Sequence, residues 1–320
     1  REYKLFRDKI QIDLWREYPL KFFEDIGVSS LGLWEKQKEI VESVKKNERT
    51  VVVATYDVGK TFIAACIAIW FLNTFIPSKV ITTAPTGRQV KDLLWREIRS
   101  IHKRSRIPLG GRVLTQYYEI EEDWFAVGFS TDEYDPDKFT GYHQENVLVI
   151  FDQASGIGKN IWDAAEGLMT SPNVRWLAIG NATDPNSEFA KNTKVGSGWN
   201  TIKITAFDSP NVKAGKNIYP GLLSYDWPKR MEKQWGKNSQ MYKMFVLAEF
   251  PRESPENLIP YALVEASLDK EAELDGEIQV GVDVAEFGND FTSIVVRKGK
   301  TITDIFLFSK ENPMQVVGRV

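Results

Sequence analysis

The sequence predicts an α/β fold, a mostly parallel sheet with helices on both faces, followed by a helical segment and the start of a second sheet. Three observations lead there. Short, largely apolar runs rich in β-branched residues, one of them (147–151) fully apolar, alternate with helical segments between 50 and 205, the pattern of strands buried on both faces. One run, Thr50-Val51-Val52-Val53, leads into Ala54-Thr55-Tyr56-Asp57-Val58-Gly59-Lys60-Thr61 and then an apolar helical stretch over 62–70. Strand, tight loop ending in Gly-Lys-Thr, then helix is the setting of a phosphate-binding loop. From 278 the pattern changes to strands at 278–283, 292–297 and 301–308, joined by short connections.

Taken in order, residues 1–49 read as helical, with Leu33, Trp34, Ile40, Val41 and Val44 spaced to give an apolar face. The segment 79–84 reads as a strand. The stretch 89–101 reads as one helix, with Val90, Leu93, Leu94, Trp95 and Ile98 at helical spacing. Further strands fall at 124–129, 147–151, 176–179 and 201–205. Near Ala206 the composition shifts. Asp208-Ser209-Pro210, Tyr219-Pro220-Gly221 and the proline-bounded segment 251–260 punctuate a loop-rich helical region. No internal repeat and no low-complexity segment is seen.

Composition narrows the function classes. A chain of 320 residues exceeds the size at which one core keeps growing, so two domains are expected. A net charge of -3 does not mark a nucleic-acid binder by bulk electrostatics, although a local basic patch can still act as one. The single cysteine, Cys66, excludes an internal disulfide and lies in an apolar helix, where it reads as a small buried hydrophobe. Two histidines and one cysteine cannot build a zinc cluster. The longest apolar run, 62–72, is shorter than the roughly twenty residues needed to span a bilayer. No secretory signal is seen, and a cytoplasmic setting is expected. The chain opens at Arg1 without a methionine, which points to a trimmed fragment.

The motifs with chemistry begin at the loop. Its backbone N–H groups and the following helix N-terminus form an anion site. Thr55, Tyr56, Asp57, Val58, Gly59, Lys60 and Thr61 would wrap the phosphates of ATP. Lys60 would reach the β- and γ-phosphates, and Thr61 would ligate Mg²⁺. The first glycine of the usual pattern is Ala54 here. The apolar run 147–151 ends in Asp152, an acid that would hold the same Mg²⁺. Gln153 follows, where ATP-hydrolysing motors normally carry the glutamate that deprotonates the attacking water. An amide holds a water but takes no proton, so the expectation is ATP binding with impaired hydrolysis. Gln153 is either a natural departure or a change made to trap ATP. Asn181 and Thr183, at the end of the strand 176–179, are candidate sensors of the γ-phosphate or simply turn residues. Gln37 would read adenine with its amide, or be an exposed helix glutamine. The basic cluster Lys103, Arg104, Arg106 and Arg112 has three readings: phosphate contacts to DNA, a finger into a neighbouring subunit's ATP, or a solvated helix end.

Together these motifs resemble the large terminase subunit of tailed bacteriophages, the ATP-driven DNA-packaging motor. The pieces are Trp34 with Gln37, the loop to Thr61, Thr83-Ala84-Pro85-Thr86-Gly87-Arg88-Gln89-Val90, Asp152-Gln153-Ala154-Ser155-Gly156-Ile157, Ile179-Gly180-Asn181-Ala182-Thr183, Ala248-Glu249-Phe250-Pro251, and Gly281-Val282-Asp283-Val284-Ala285 with Gly288-Asn289-Asp290. The resemblance implies a P-loop NTPase with an appended RNase H-like nuclease. The divisions expected are an N-terminal helical region of the ATPase domain (1–49), the P-loop core (50–206), a linker or lid subdomain (207–277) and a truncated nuclease start (278–320). Asp283 falls on the family's metal-binding acid, and Asp290 is a candidate second ligand for Mg²⁺ or Mn²⁺. The remaining acids would lie beyond Val320, so no DNA cleavage by this fragment is expected. Many family members carry a basic residue inside the loop, where this chain has Tyr56 and Asp57. The compensating arginine would come from elsewhere, with Arg88, Arg99 and Arg104 as candidates and Arg104 favoured by placement. The implied partners are double-stranded DNA, the portal protein and the small terminase subunit. A homo-oligomeric ring is expected on the portal vertex of the procapsid in the host cytoplasm, and a monomer in isolation. Two rivals remain: a superfamily 2 helicase-like DNA translocase, and a nucleotide-binding scaffold without turnover.

Overall fold

The apolar runs become strands, named here in chain order: β1 (Arg49–Ala54), β2 (Ser78–Ala84), β3 (Arg112–Val113), β4 (Tyr117–Glu121), β5 (Trp124–Ser130), β6 (Asn146–Asp152), β7 (Asn173–Gly180) and β8 (Asn200–Ile204). They form one eight-stranded sheet in the order β3-β4-β5-β2-β6-β7-β1-β8. From β5 to β8 the neighbours run parallel; β3 and β4 add an antiparallel edge. The computed structural model describes residues 9–131, 141–251, 275–285, 291–308 and 313–319.

Alternation along each strand divides the core in two. On one face Val52, Leu148, Ile150, Leu177 and Ile179 pack with the helices α1 (Lys9–Glu17), α2 (Pro19–Ile26), α3 (Glu35–Lys46), α4 (Lys60–Thr74) and α5 (Trp95–Arg104). On the other, Val51, Val53, Val149 and Phe151 pack with Trp162, Trp176 and Trp199. α4 is apolar on every side and buried along nearly its whole length, with Cys66 inside it. That burial pushes the Cys66 thiol far above its ordinary range, so it acts as packing and not as a nucleophile.

The stretch 89–101 is not one regular helix. Residues Gln89–Leu94 form a wide π-type turn, in which the Trp95 N–H reaches back to the Val90 carbonyl, and α5 starts after it. The cause is the seat of Trp95. Its ring is fully buried, its indole N–H donates to Thr82 Oγ1 at 2.9 Å, and it lies directly over Gly128. A Cβ on Gly128 would come within 2.0 Å of the indole nitrogen. Gly128→Ala is therefore expected to destabilise the chain by about 2–3 kcal/mol through overpacking, read as a shifted denaturation midpoint. A midpoint that did not move would show that Trp95 is free to re-seat.

The chain divides into two compact units, Arg1–Glu256 and Asn257–Val320. The segment after β8, with helices Pro210–Ala214, Trp227–Trp235 and Gln240–Phe245, thus groups with the nucleotide-loop sheet. The second unit contains β9 (Ile278–Asp283), β10 (Thr292–Lys298) and β11 (Thr301–Phe308) in a three-stranded antiparallel sheet, ordered β11-β10-β9. Asp283 ends β9 opposite Ser293 and is exposed; Asp290 lies outside the described residues. Among the described residues no helix is long and apolar enough to cross a membrane.

Candidate functional site

A parallel sheet gathers its strand C-termini along one edge, and this is where the loop sits. β1 delivers the loop, β6 delivers Asp152, and β7, which lies between them, delivers Asn181. Asn181 Nδ2 donates to the Ala54 carbonyl at 2.7 Å and so ties the end of β7 to the start of the loop. Ala54 is a strand residue paired with Ile204, and the positive φ values near it belong to Asp57 (46°) and Gly59 (78°). The conformational freedom of a glycine is not needed at 54, which is why alanine serves there. It is needed at 59, where a Cβ would also lie 2.5 Å from the Gln37 amide nitrogen.

Lys60 opens α4, and its ammonium donates to the Thr55 carbonyl across the loop. Burial pushes this ammonium down to about 8, against the upward pull of Asp152 and Asp57. Thr61 Oγ1 donates to Asp152 Oδ2 at 3.0 Å. Asp152 is completely buried. Desolvation raises its carboxyl above the usual range, opposed by the Thr61 hydroxyl, by Lys60 and by the Gln153 N–H at 3.0 Å from Oδ1. A hydroxyl and a carboxylate oxygen placed side by side are hard oxygen donors of the kind Mg²⁺ takes. Gln153 is held in the left-handed region (φ 54°, ψ 43°) directly after that acid.

Lys60, Thr61 and Gln153 face a cavity of about 540 Å³, lined by the loop from Tyr56 to Thr61, by Gln153 and by Asn181, while Asp152 lies buried behind Thr61. Thr55 is not part of the lining. It lies buried beneath the loop, with its hydroxyl donated to the Phe245 carbonyl. Thr183 does not line the cavity either, and its N–H bonds the Asn181 carbonyl at 3.0 Å. Gln37 is buried and has local partners: it takes the Trp34 N–H at 3.4 Å and donates to the Gly59 carbonyl at 3.4 Å. It also lines a second cavity, of about 400 Å³, beside the first. The loop is further braced from the helical segment behind it. Tyr56 stacks on Phe245 with centroids 4.8 Å apart, and the Asp57 carbonyl accepts the Leu223 N–H at 2.8 Å.

No family model matches the chain. In sequence it is 26% identical over 245 residues to the "Probable terminase, large subunit" of Enterobacteria phage P7, covering 71% of this chain and 47% of that protein. The chain thus spans about half the length of that curated relative. In structure it is similar to the large terminase ATPase domain of Thermus phage P74-26, with a TM-score of 0.55 at 18% identity, covering 72% of this chain and 98% of that one. The resemblance to phage large terminase subunits holds. The large terminase of a second, thermophilic bacteriophage, solved in complex with ADP, is a further structural neighbour, with a TM-score of 0.51 at 12% identity over 89% of this chain and 72% of that one.

Other expected residues fall elsewhere on this fold. Arg104 ends α5 outside the cavity lining, with its Nε bonded to the Ser100 carbonyl at 3.3 Å. Lys103 and Arg112 are exposed, and Arg106 packs its side chain against Gly27. The cavity instead holds Arg96 and Glu97, which the sequence did not single out. Nothing in their local spacing marks them. The wide turn before α5 sets their rotation toward the loop. Among the described residues no group of three or more His, Cys, Asp or Glu side chains forms a metal cluster.

Proposed function

We propose that this chain is the ATP-binding motor portion of a phage DNA-packaging terminase. The observation that carries the reading is the convergence of Lys60, Thr61, Gln153 and Asn181 on one cavity at the strand C-termini, with the buried Asp152 bonded to Thr61 behind it. Lys60 and the loop N–H groups hold the β- and γ-phosphates, leaving Thr55 as a brace beneath the loop. Thr61 and Asp152 would hold Mg²⁺, which would supply charge neutralisation at the phosphates. Gln153 positions a water at the γ-phosphate without taking its proton, so ATP is bound and turned over slowly. Asn181 couples phosphate occupancy to β1 through the Ala54 carbonyl, with Thr183 one step behind it.

Under this reading the divisions are 1–49 and 50–206 for the motor core, 207–277 for a lid, and 278–320 for the start of a nuclease with Asp283 and Asp290 as metal ligands. Double-stranded DNA, a portal protein and a small terminase subunit are the partners, in a ring at the procapsid of the infected host cell. Lys103, Arg104, Arg106 and Arg112 form an exposed basic surface for DNA or for a neighbouring subunit's nucleotide. A nucleotide-binding scaffold without turnover is the second reading, and Gln153 favours it.

The test is ATP hydrolysis with Mg²⁺, with and without duplex DNA, on the chain and on Arg104→Ala. DNA binding that weakens in Arg104→Ala and has a shallower salt dependence identifies a phosphate contact. DNA-stimulated hydrolysis that drops in an assembled ring, at unchanged DNA affinity, identifies a finger. If Arg104→Ala alters neither, the cluster is a solvated helix end.

A further inference from the structure

We propose that Glu97 holds the ribose hydroxyls of the bound nucleotide and makes the site selective for ribonucleotides over deoxyribonucleotides. The inference rests on the ATP reading above and adds to it the position of the sugar.

The two cavities beside the loop share four lining residues: Gly59, Phe62, Glu97 and Gly221. Whatever occupies both must pass between them. The first cavity contains the phosphate-binding groups, Lys60 and Thr61. The second is lined by Trp34, Tyr219 and Leu222 with the Gln37 amide and by Ser29 and Ser30, an aromatic and aliphatic wall with a few polar groups, suited to a base. The ribose is the part of a nucleotide that joins phosphates to base, so it falls at the junction. Of the four junction residues, two are glycines and one is phenylalanine, which leaves Glu97 as the polar side chain there.

The chemistry matches. A carboxylate offers acceptors only, on two oxygens, and a vicinal diol offers two O–H donors. Hydrogen bonds to an ionised acceptor are about twice as strong as neutral ones. Glu97 is available for them: its ion-pair contact, with Arg96, is 4.0 Å long and beyond hydrogen-bond distance. Its position is fixed from behind, because Trp95 is pinned to Thr82 over Gly128 and sets the rotation of α5. Each missing hydroxyl removes one of the two bonds.

The experiment is a competition titration with Mg²⁺ and ATP, 2′-deoxy-ATP or 3′-deoxy-ATP, on the chain itself, Glu97→Gln and Glu97→Ala. The unsubstituted chain is expected to prefer ATP by about tenfold over either deoxynucleotide. In Glu97→Ala the three affinities should converge below the parent's deoxynucleotide value, because both bonds are then gone, and Glu97→Gln, still an acceptor, should keep part of the preference. The preference is a ratio within one sample, so partial misfolding of a variant does not mimic its loss. Equal affinities in the unsubstituted chain, or a preference that survives Glu97→Ala, would overturn the proposal while leaving the ATP site intact. Failure of all three nucleotides to bind the unsubstituted chain would overturn the ATP reading and this inference with it.

Discussion

Lys60→Met is expected to weaken ATP binding by about a hundredfold and at the same time to make the empty protein more stable. Under the proposed reading, the first effect follows from losing the ammonium that would contact the phosphates, a charge-assisted interaction of about 1.5–3 kcal/mol. The second follows from its surroundings. Lys60 is almost wholly buried, and desolvation holds its ammonium at about 8, below the ordinary 10.5. At neutral pH it is charged in both the folded and the unfolded chain, and folding carries the penalty of burying that charge. Methionine fills a similar volume without it, for a gain of about 1–2 kcal/mol after loss of the bond to the Thr55 carbonyl. The sign with pH follows from the same shift. Between about 8 and 10.5 the unfolded chain binds the proton that the folded chain has released, so stability rises with pH across that window. ATP affinity moves the other way and falls above about pH 8, because the phosphates need the charged form. Denaturation midpoints and ATP dissociation constants measured from pH 7 to 10 on both proteins test this. A variant that loses stability along with binding, or a parent whose affinity is flat with pH, would contradict it.

What was legible in the sequence is what buried strands and sharp loops write locally. The runs at 51–53 and 147–151 are apolar at every position because the sheet is covered on both sides, and they became β1 and β6. Gly59-Lys60-Thr61 and Asp152 were found because the residue types are the chemistry, and Thr61 and Asp152 do meet. β3 and β4 were not anticipated. They are short edge strands that mix charged, aromatic and aliphatic residues, and an edge needs no continuous apolar run. The wide turn at Gln89–Leu94 was also invisible, since it depends on Trp95 finding Gly128 on a strand far away in sequence. That turn places Arg96 and Glu97 at the cavity, so these two could be named only after the fold was known. Thr55 shows the opposite limit. The loop pattern includes it, but β8 and Phe245 close over it and it does not reach the cavity.

Gln153→Glu is expected to raise ATP turnover by about 10²–10⁴-fold, the usual contribution of a positioned general base. The substitution exchanges an amide nitrogen for an oxygen and leaves the volume unchanged, so packing is not the variable. The position is prepared for a base. Gln153 follows the fully buried Asp152 and lines the same cavity as Lys60 and Thr61. Its backbone is held at φ 54°, a conformation that costs a non-glycine residue on the order of 1 kcal/mol. The Gln153 N–H bond to Asp152 Oδ1 at 3.0 Å fixes the turn that points the side chain. A carboxylate there also meets a nearby negative charge in Asp152, which raises its pKa toward the range in which a base works near neutral pH. Steady-state hydrolysis with Mg²⁺ on the two proteins, alongside their ATP dissociation constants, separates the outcomes. Turnover that appears at unchanged affinity assigns position 153 to the water-activating step and supports the motor reading. Affinity equal in both proteins with no turnover in either removes that role and leaves the scaffold reading ahead, because the loop, the proposed metal ligands and the cavity would then serve binding alone.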